Sequence, residues 1–195
     1  MLANWLQQLT VGNLKIALTQ RVLYHKGRAY DSLEHGWYRY LKDHTLSFIP
    51  NRLDQDFEQL ADEHDCLIIT GGDDSAIRRN VELKLAGLLM QQLKPILGVC
   101  HGAFLLTDVL GGVVAQCDNH MDTSHNVDYF GQSFSVNSYH SQSIKHLHTT
   151  AQGLVYSNDG SCEAWIDKNL AGIVWHPERM DEPWIPAEIA NKFLF

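Results

Sequence analysis

Strand-length apolar runs alternating with amphipathic stretches of roughly 10–15 residues predict an α/β fold: a mostly parallel central sheet with helices on both faces. Three observations carry that prediction. Apolar, β-rich runs such as CLIIT and PILGV are bounded by glycine or proline. The stretches between them repeat apolar residues at helical spacing. No internal repeat, low-complexity tract or linker divides the 195 residues, so one domain over 1–195 is expected, long enough to bury a sizeable core.

The elements follow in chain order. Leu2, Trp5, Leu6 and Leu9 fall on one helical face, which predicts a short N-terminal docking helix within 1–13. LKIALT (14–19) reads as a buried strand, TQRVLYHKGRAY (19–30) as a basic strand-end loop, and DSLEHGWYRYL (31–41) as a helix through Leu33, Trp37 and Tyr40. TLSFIP is a strand and LDQDFEQLADEH a helix. CLIITGG is a strand stopped by two glycines, and NVELKLAGLLMQQL a helix ending before Pro95. PILGV (95–99) is a short strand, and HGAFLLTDVLGG a helix punctuated by Gly111 and Gly112. From Val113 the texture changes to short strands: VVAQC, SFSVNS, GLVYS, CEAWI and LAGIVW. His125 begins a further strand leading to VNSYH, and PAEIANKFLF closes as a helix. In such sheets ligands sit outside the carboxyl ends of the strands, so the loops after strands are where chemistry belongs.

Composition narrows the function. The formal net charge of −8 argues against a nucleic-acid partner, which needs a basic face. No apolar run is long enough to span a bilayer, and the N-terminus lacks the basic n-region of a signal peptide. The four cysteines, Cys66, Cys100, Cys117 and Cys162, follow neither disulfide nor metal spacing, which predicts a reduced, cytoplasmic protein.

Three strand-end loops carry chemistry. Gly98-Val99-Cys100-His101-Gly102 is a G-x-C-x-G pattern between a strand and a helix, the thiol form of the nucleophile elbow. There the thiol stands at a helix N-terminus, where the dipole and free amides favour thiolate. Gly71-Gly72 after CLIIT lets main chain approach closely. A tetrahedral oxyanion needs two donors, here the amides of His101 and Gly72. His176-Pro177-Glu178 after LAGIVW places a histidine and a carboxylate at i and i+2, on the same side of an extended segment, so Glu178 can orient the His176 ring. The proton of Cys100 therefore has two candidate acceptors, His176 and the adjacent His101.

GVCHG, the GG loop and GIVWHPE, with VNSYHSQ (136–142) and DGSCEAW (159–165), together resemble class I glutamine amidotransferases, closest to their γ-glutamyl hydrolase branch. The resemblance runs from KIALTQR to HPER. It implies a three-layer flavodoxin-like sandwich, a Cys100–His176–Glu178 triad, an oxyanion hole at Gly72 and His101, and substrate contacts at Ser138, Tyr139 and His140. Ammonia-producing members carry glutamine where this chain has Phe104, and usually read VQWHPE where it has Val174. Phe104 removes a polar contact at the glutamine end of the site, which favours a hydrolase acting on a substituted γ-glutamyl amide over a glutaminase. Arg21 and Arg28 of the basic segment hint at an anionic substrate. CHG also resembles the elbow of a sister family of peptidase- and chaperone-like proteins in which the neighbouring histidine takes part. A glutaminase feeding a synthetase, a non-catalytic chaperone-like member and a homodimer all stay open.

The remaining histidines have no H-E-x-x-H or C-x-x-C companion, and the proposed chemistry requires neither a metal nor a cofactor, so none is expected.

Overall fold

The structure, a computed structural model, describes residues 13–118 and 120–193. The expected docking helix falls on 1–12, outside the described residues.

The chain opens with strand β1 (Lys15–Thr19), followed by β2 (Arg21–His25) and β3 (Arg28–Ser32). Then come α1 (Gly36–Tyr40), β4 (Thr45–Ile49), α2 (Phe57–Glu63), β5 (Cys66–Ile69), α3 (Ala76–Gln91), β6 (Ile96–Val99) and α4 (His101–Val109). The second half is β7 (Val113–Gln116), β8 (Thr123–Tyr129), β9 (Gln132–Ser138), β10 (Gln142–His146), β11 (Gln152–Ser157), β12 (Cys162–Asp167) and β13 (Leu170–Ile173). A 3-10 turn (Pro177–Arg179) and α5 (Ala187–Phe193) complete it.

Strands β4-β1-β5-β6-β13 pair in parallel, and β12-β11-β8-β9 extend the same sheet antiparallel. The expected α/β sandwich is thus present, with a larger antiparallel flank than "mostly parallel" conveys. Its central strands β5, β6 and β13 are buried along their whole length, the near-continuous apolar pattern that parallel strands need. Helix α3 packs on β5 and β6, and α4 on β5, β6 and β13. Local chemistry starts the helices: the side chains of Asp56 and Ser75 accept hydrogen bonds from the amides of Gln59 and Arg78. No helix among the described residues is long and apolar enough to cross a membrane.

Two expectations fail in the same place. The basic segment 19–30 is a hairpin rather than a loop: β2 and β3 pair antiparallel from Arg21↔Ser32 to His25↔Arg28. Its two-residue turn, Lys26-Gly27, has positive φ at both positions (49° and 73°), the geometry that matches strand twist. Because this hairpin uses residues up to Ser32, the helix expected over 31–41 shrinks to five residues. Strand β10 was not expected at all.

Registers place the site. Ile69 of β5 pairs with Gly98 of β6, and Val99 of β6 with Ile173 of β13. The three strands therefore end side by side, and Gly71, Cys100 and His176 all leave from the same edge of the sheet.

Candidate functional site

Cys100 is the hinge between β6 and α4. Its φ of 51° and ψ of −104° lie outside the ordinary allowed regions, strain that only a tightly built turn sustains. The flanking glycines make that turn feasible by close approach. A Cβ on Gly98 would stand 2.4 Å from the Gly102 backbone, and one on Gly102 would stand 2.2 Å from the Ile69 carbonyl. The Cys100 amide donates to the Ile173 carbonyl at 2.8 Å, tying the elbow to the end of β13.

His176 lies three residues beyond that strand end. Its Nδ1 meets Glu178 Oε1 at 2.6 Å, with both side chains almost wholly buried. Its other side faces Cys100 across the cavity wall that both line. Burial opposes charging the ring. The hydrogen bonds to Cys100 and Glu178, with their charges, outweigh burial and raise its pKa to about 9. Asn137 of β9 clamps the backbone here: its amide donates to the His176 carbonyl and its oxygen accepts from the His176 amide, both at 2.8 Å. On the far side, a Cβ at Gly71 would stand 2.3 Å from the ring Cε1. Thiol, imidazole and carboxylate stand in series, an arrangement able to pass a proton from sulfur to ring and to hold the resulting charge.

His101 turns elsewhere. Its Nε2 meets Glu82 Oε2 of α3 at 2.8 Å. Glu82 also takes Arg78 Nε at 2.7 Å and the Thr19 hydroxyl at 2.8 Å. Burial opposes the charge on Glu82, yet the His101 hydrogen bond and the Arg78 charge keep its pKa below the usual carboxylate range. Arg78, itself fully buried, reaches the carbonyls of Thr70, Gly71 and Asp73, so this network fixes the glycine loop facing Cys100.

The elbow opens into a cavity of about 340 Å³ whose wall includes Arg21, Gly72, Cys100, His101, Phe104, Tyr139, His140, His176 and Arg179. Two expected contacts are absent from that wall. Ser138 is fully buried and its hydroxyl donates to the His120 carbonyl at 2.6 Å. Arg28 sits exposed at the hairpin turn, because pairing with His25 carries it away from the sheet edge. The cation at the rim that sequence reasoning missed is Arg179. Arg21 and Arg179 share Glu34 at 2.9 and 2.8 Å, and the Arg179 guanidinium stacks 4.7 Å over the Tyr139 ring. Burial would raise Glu34, but the Arg179 hydrogen bond and the two cations hold its pKa down. Also missed were Glu82, Arg78 and Asn137, whose roles depend on contacts between distant segments. Asn137 alone had a signal, its place in VNSYH.

Cysteine is not equally available around the fold. Among the described residues all four are free. Burial pushes the thiols of Cys66 and Cys162 up to about 12, whereas Cys100 opens onto the cavity.

A strained cysteine elbow, a buried histidine–glutamate pair on the adjacent strand end and a glycine loop opposite define the architecture of an amidotransferase-type α/β domain. The sequence agrees: residues 28–194 match the model of the glutamine amidotransferase class-I family, and the chain belongs to that family. It is 28% identical to the γ-glutamyl-CDP-amidate hydrolase of Campylobacter jejuni, over 84% of this chain and 90% of that protein. It is 29% identical to protein NtpR of Enterococcus hirae, over 60% of this chain and 68% of that one. The crystal structure of a glutamine amidotransferase from Thermotoga maritima superimposes with a TM-score of 0.67 at 15% identity, covering 94% of this chain and 82% of that one, a likeness of fold.

Proposed function

We propose that this chain is a cysteine-dependent hydrolase of γ-glutamyl amides, with a preference for substrates whose amine side carries an anionic group. The observation that carries the reading is the series Cys100–His176–Glu178 opening into the cavity of about 340 Å³. Cys100 attacks the γ-carbonyl and its proton goes to His176. The oxyanion is held by the amides of His101 and Gly72, and His176 returns the proton to the departing amine. Water, activated by His176 in its turn, then adds to the γ-glutamyl thioester. Collapse expels the Cys100 thiolate and frees glutamate. Glu178 holds the ring in one tautomer and balances its charge throughout.

The substrate class follows from the cavity wall. Phe104 offers no hydrogen bond where ammonia-producing relatives carry glutamine, which argues against a purpose-built glutaminase. Arg21 and Arg179 offer guanidinium donors to a carboxylate or phosphate, while Asp73 and Asp74 on the same wall suit an ammonium group. The Campylobacter relative supports an anionic amine side, since its name joins a γ-glutamyl amide to a nucleoside diphosphate.

Glutamate release from glutamine, a γ-glutamyl alkylamide and a γ-glutamyl aminoalkyl phosphate tests the reading. The phosphate compound should lead by about 10- to 1000-fold in kcat/KM, given about 1.5–3 kcal/mol per charge-assisted contact before screening. Arg21→Ala should erode that lead and Arg28→Ala should not. Equal rates on all three, or glutamine as the best substrate, would return the chain to the ammonia-supplying class.

A further inference from the structure

Behind the cavity wall formed by His140 lies a second cluster that the hydrolysis does not use. His120 precedes β8, His125 lies on β8, and Glu163 lies on β12. Their ligand-capable atoms all fall within 4.8 Å of one another. Glu163 is 1% exposed, and neither of its oxygens has a hydrogen-bond partner among the described residues. His120 Nδ1 and both ring nitrogens of His125 are likewise buried and unpartnered. No lysine or arginine among the described residues pairs with Glu163; the imidazoles of His125 and His140 approach it, with Nε2 at 3.7 Å and 3.9 Å.

A buried carboxylate with neither a hydrogen bond nor a matched cation is costly, and native folds seldom tolerate it without a ligand. A proton shared between His125 and Glu163 answers only part of the problem. It leaves the second carboxylate oxygen, the other His125 nitrogen and His120 Nδ1 unmet. A divalent cation answers more of it at once. Two imidazoles and a carboxylate are the donor set that zinc-class ions take, and ligand atoms around such an ion stand about 3.4 Å apart for bonds of about 2.1 Å. The observed atoms lie within 4.8 Å of one another, so binding requires the side chains to turn inward.

His140 extends the set. Its Nδ1 donates to the Gln142 carbonyl at 2.7 Å, which leaves the lone pair of the neutral ring on Nε2. The Ser138 hydroxyl lies 3.1 Å from Nε2 but has only one proton, and it is already directed at the His120 carbonyl. This is the arrangement in which a metal-binding histidine has its second nitrogen fixed by a carbonyl.

We propose that His120, His125 and Glu163 bind one divalent transition-metal ion of the zinc class, with His140 Nε2 as the next donor. The ion ties β8 to β12 and braces the segment carrying Tyr139 and His140 against the cavity. The site is separate from Cys100 and does not depend on the hydrolase reading.

The full chain, stripped with chelator, would be titrated with Co²⁺ and followed by visible absorption, with Zn²⁺ as competitor. Native protein and Cys100→Ala should each take one equivalent with the intense bands of a tetrahedral site. Glu163→Gln and His125→Gln should weaken binding by about 100-fold or more. Zn²⁺ should raise the melting temperature of the native chain but not of Glu163→Gln, which, relieved of its buried charge, should melt no lower than the stripped native chain. If the variants do not fold, the native chain still decides. X-ray absorption of the Zn²⁺-loaded chain should show nitrogen and oxygen donors at about 2.0–2.2 Å and no sulfur. No saturable binding, binding that survives Glu163→Gln, binding lost in Cys100→Ala, or sulfur ligation would each overturn the proposal.

Discussion

Two histidine–glutamate pairs flank Cys100, and they are alike in almost everything a distance reports. His176–Glu178 meet at 2.6 Å and His101–Glu82 at 2.8 Å, all four side chains buried or nearly so. What differs is what else each glutamate holds. Glu82 is saturated by Arg78 and Thr19, so its charge is spent on a guanidinium and a hydroxyl that pin the glycine loop. Glu178 has one oxygen on His176 and the other buried without a hydrogen bond, with Arg179 Nε no nearer than 3.9 Å. Its charge is therefore directed at the ring, where against burial it joins Cys100 in raising the pKa to about 9. Backbone sets the rest. His176 sits in extended chain beyond a strand end and can face the sulfur. His101 is the first residue of α4, its amide at the helix mouth and its ring turned to α3. Under the proposed mechanism the same chemical pair serves as a base in one place and as an internal strut in the other, and the partner's other bonds distinguish them.

The sharpest way to break this contrast is to remove each ring. Cys100→Ala should abolish glutamate release, and His176→Ala should lower kcat/KM by about 10³-fold or more, because thioester formation needs both groups. His101→Leu should cost less than about 10-fold at constant fold, since the proposed chemistry uses only its amide. It should also lower the melting temperature by breaking the Glu82 network. Equal losses in the two histidine variants would erase the distinction.

Gly71→Ala probes the same pair by geometry. The added methyl would overlap the His176 ring at 2.3 Å, so the ring must shift, and a displacement of that kind should cost about 100-fold in kcat/KM with little change in KM. Near-native activity would mean that the ring position is not critical.

Glu178→Gln should act more mildly, leaving residual turnover of about 1–10%, because the residue orients rather than reacts. It should also move a pH limb. His176 must be protonated to deliver a proton to the amine, so kcat/KM should fall as pH rises through about 9. Loss of the Glu178 charge removes one of the causes that raise that pKa, and the limb should move to lower pH. An unmoved limb would detach it from His176.

The part of this site that could be read from sequence was the part encoded locally. A strand, two glycines and a helix around Cys100 announce an elbow within a dozen residues, and His176-Pro177-Glu178 carries its own geometry. The hairpin was missed although Lys26-Gly27 marks its turn, because the helical spacing of Leu33, Trp37 and Tyr40 drew the neighbouring helix too far back. Arg28 was misplaced as a consequence, since basic residues look alike in a one-dimensional cluster and only pairing decides which of them faces the cavity. Glu82 reads as an ordinary position of the helix expected over NVELKLAGLLMQQL and Arg78 falls before it, so nothing local says that the two share a face buried against the glycine loop. The histidines of 120–140 form no metal spacing, and Glu163 joins them only because β11 pairs with both β8 and β12 in the folded sheet.

The central claim, that His176 rather than His101 serves Cys100, is tested most directly without any substrate. Alkylation of Cys100 by iodoacetamide at neutral pH, resolved from the other three cysteines by peptide mass spectrometry, reports how well the sulfur is activated. The account predicts about 10- to 100-fold slower alkylation in His176→Ala and a change of less than about 3-fold in His101→Leu. Unchanged alkylation in His176→Ala, with slowing confined to His101→Leu, would contradict it.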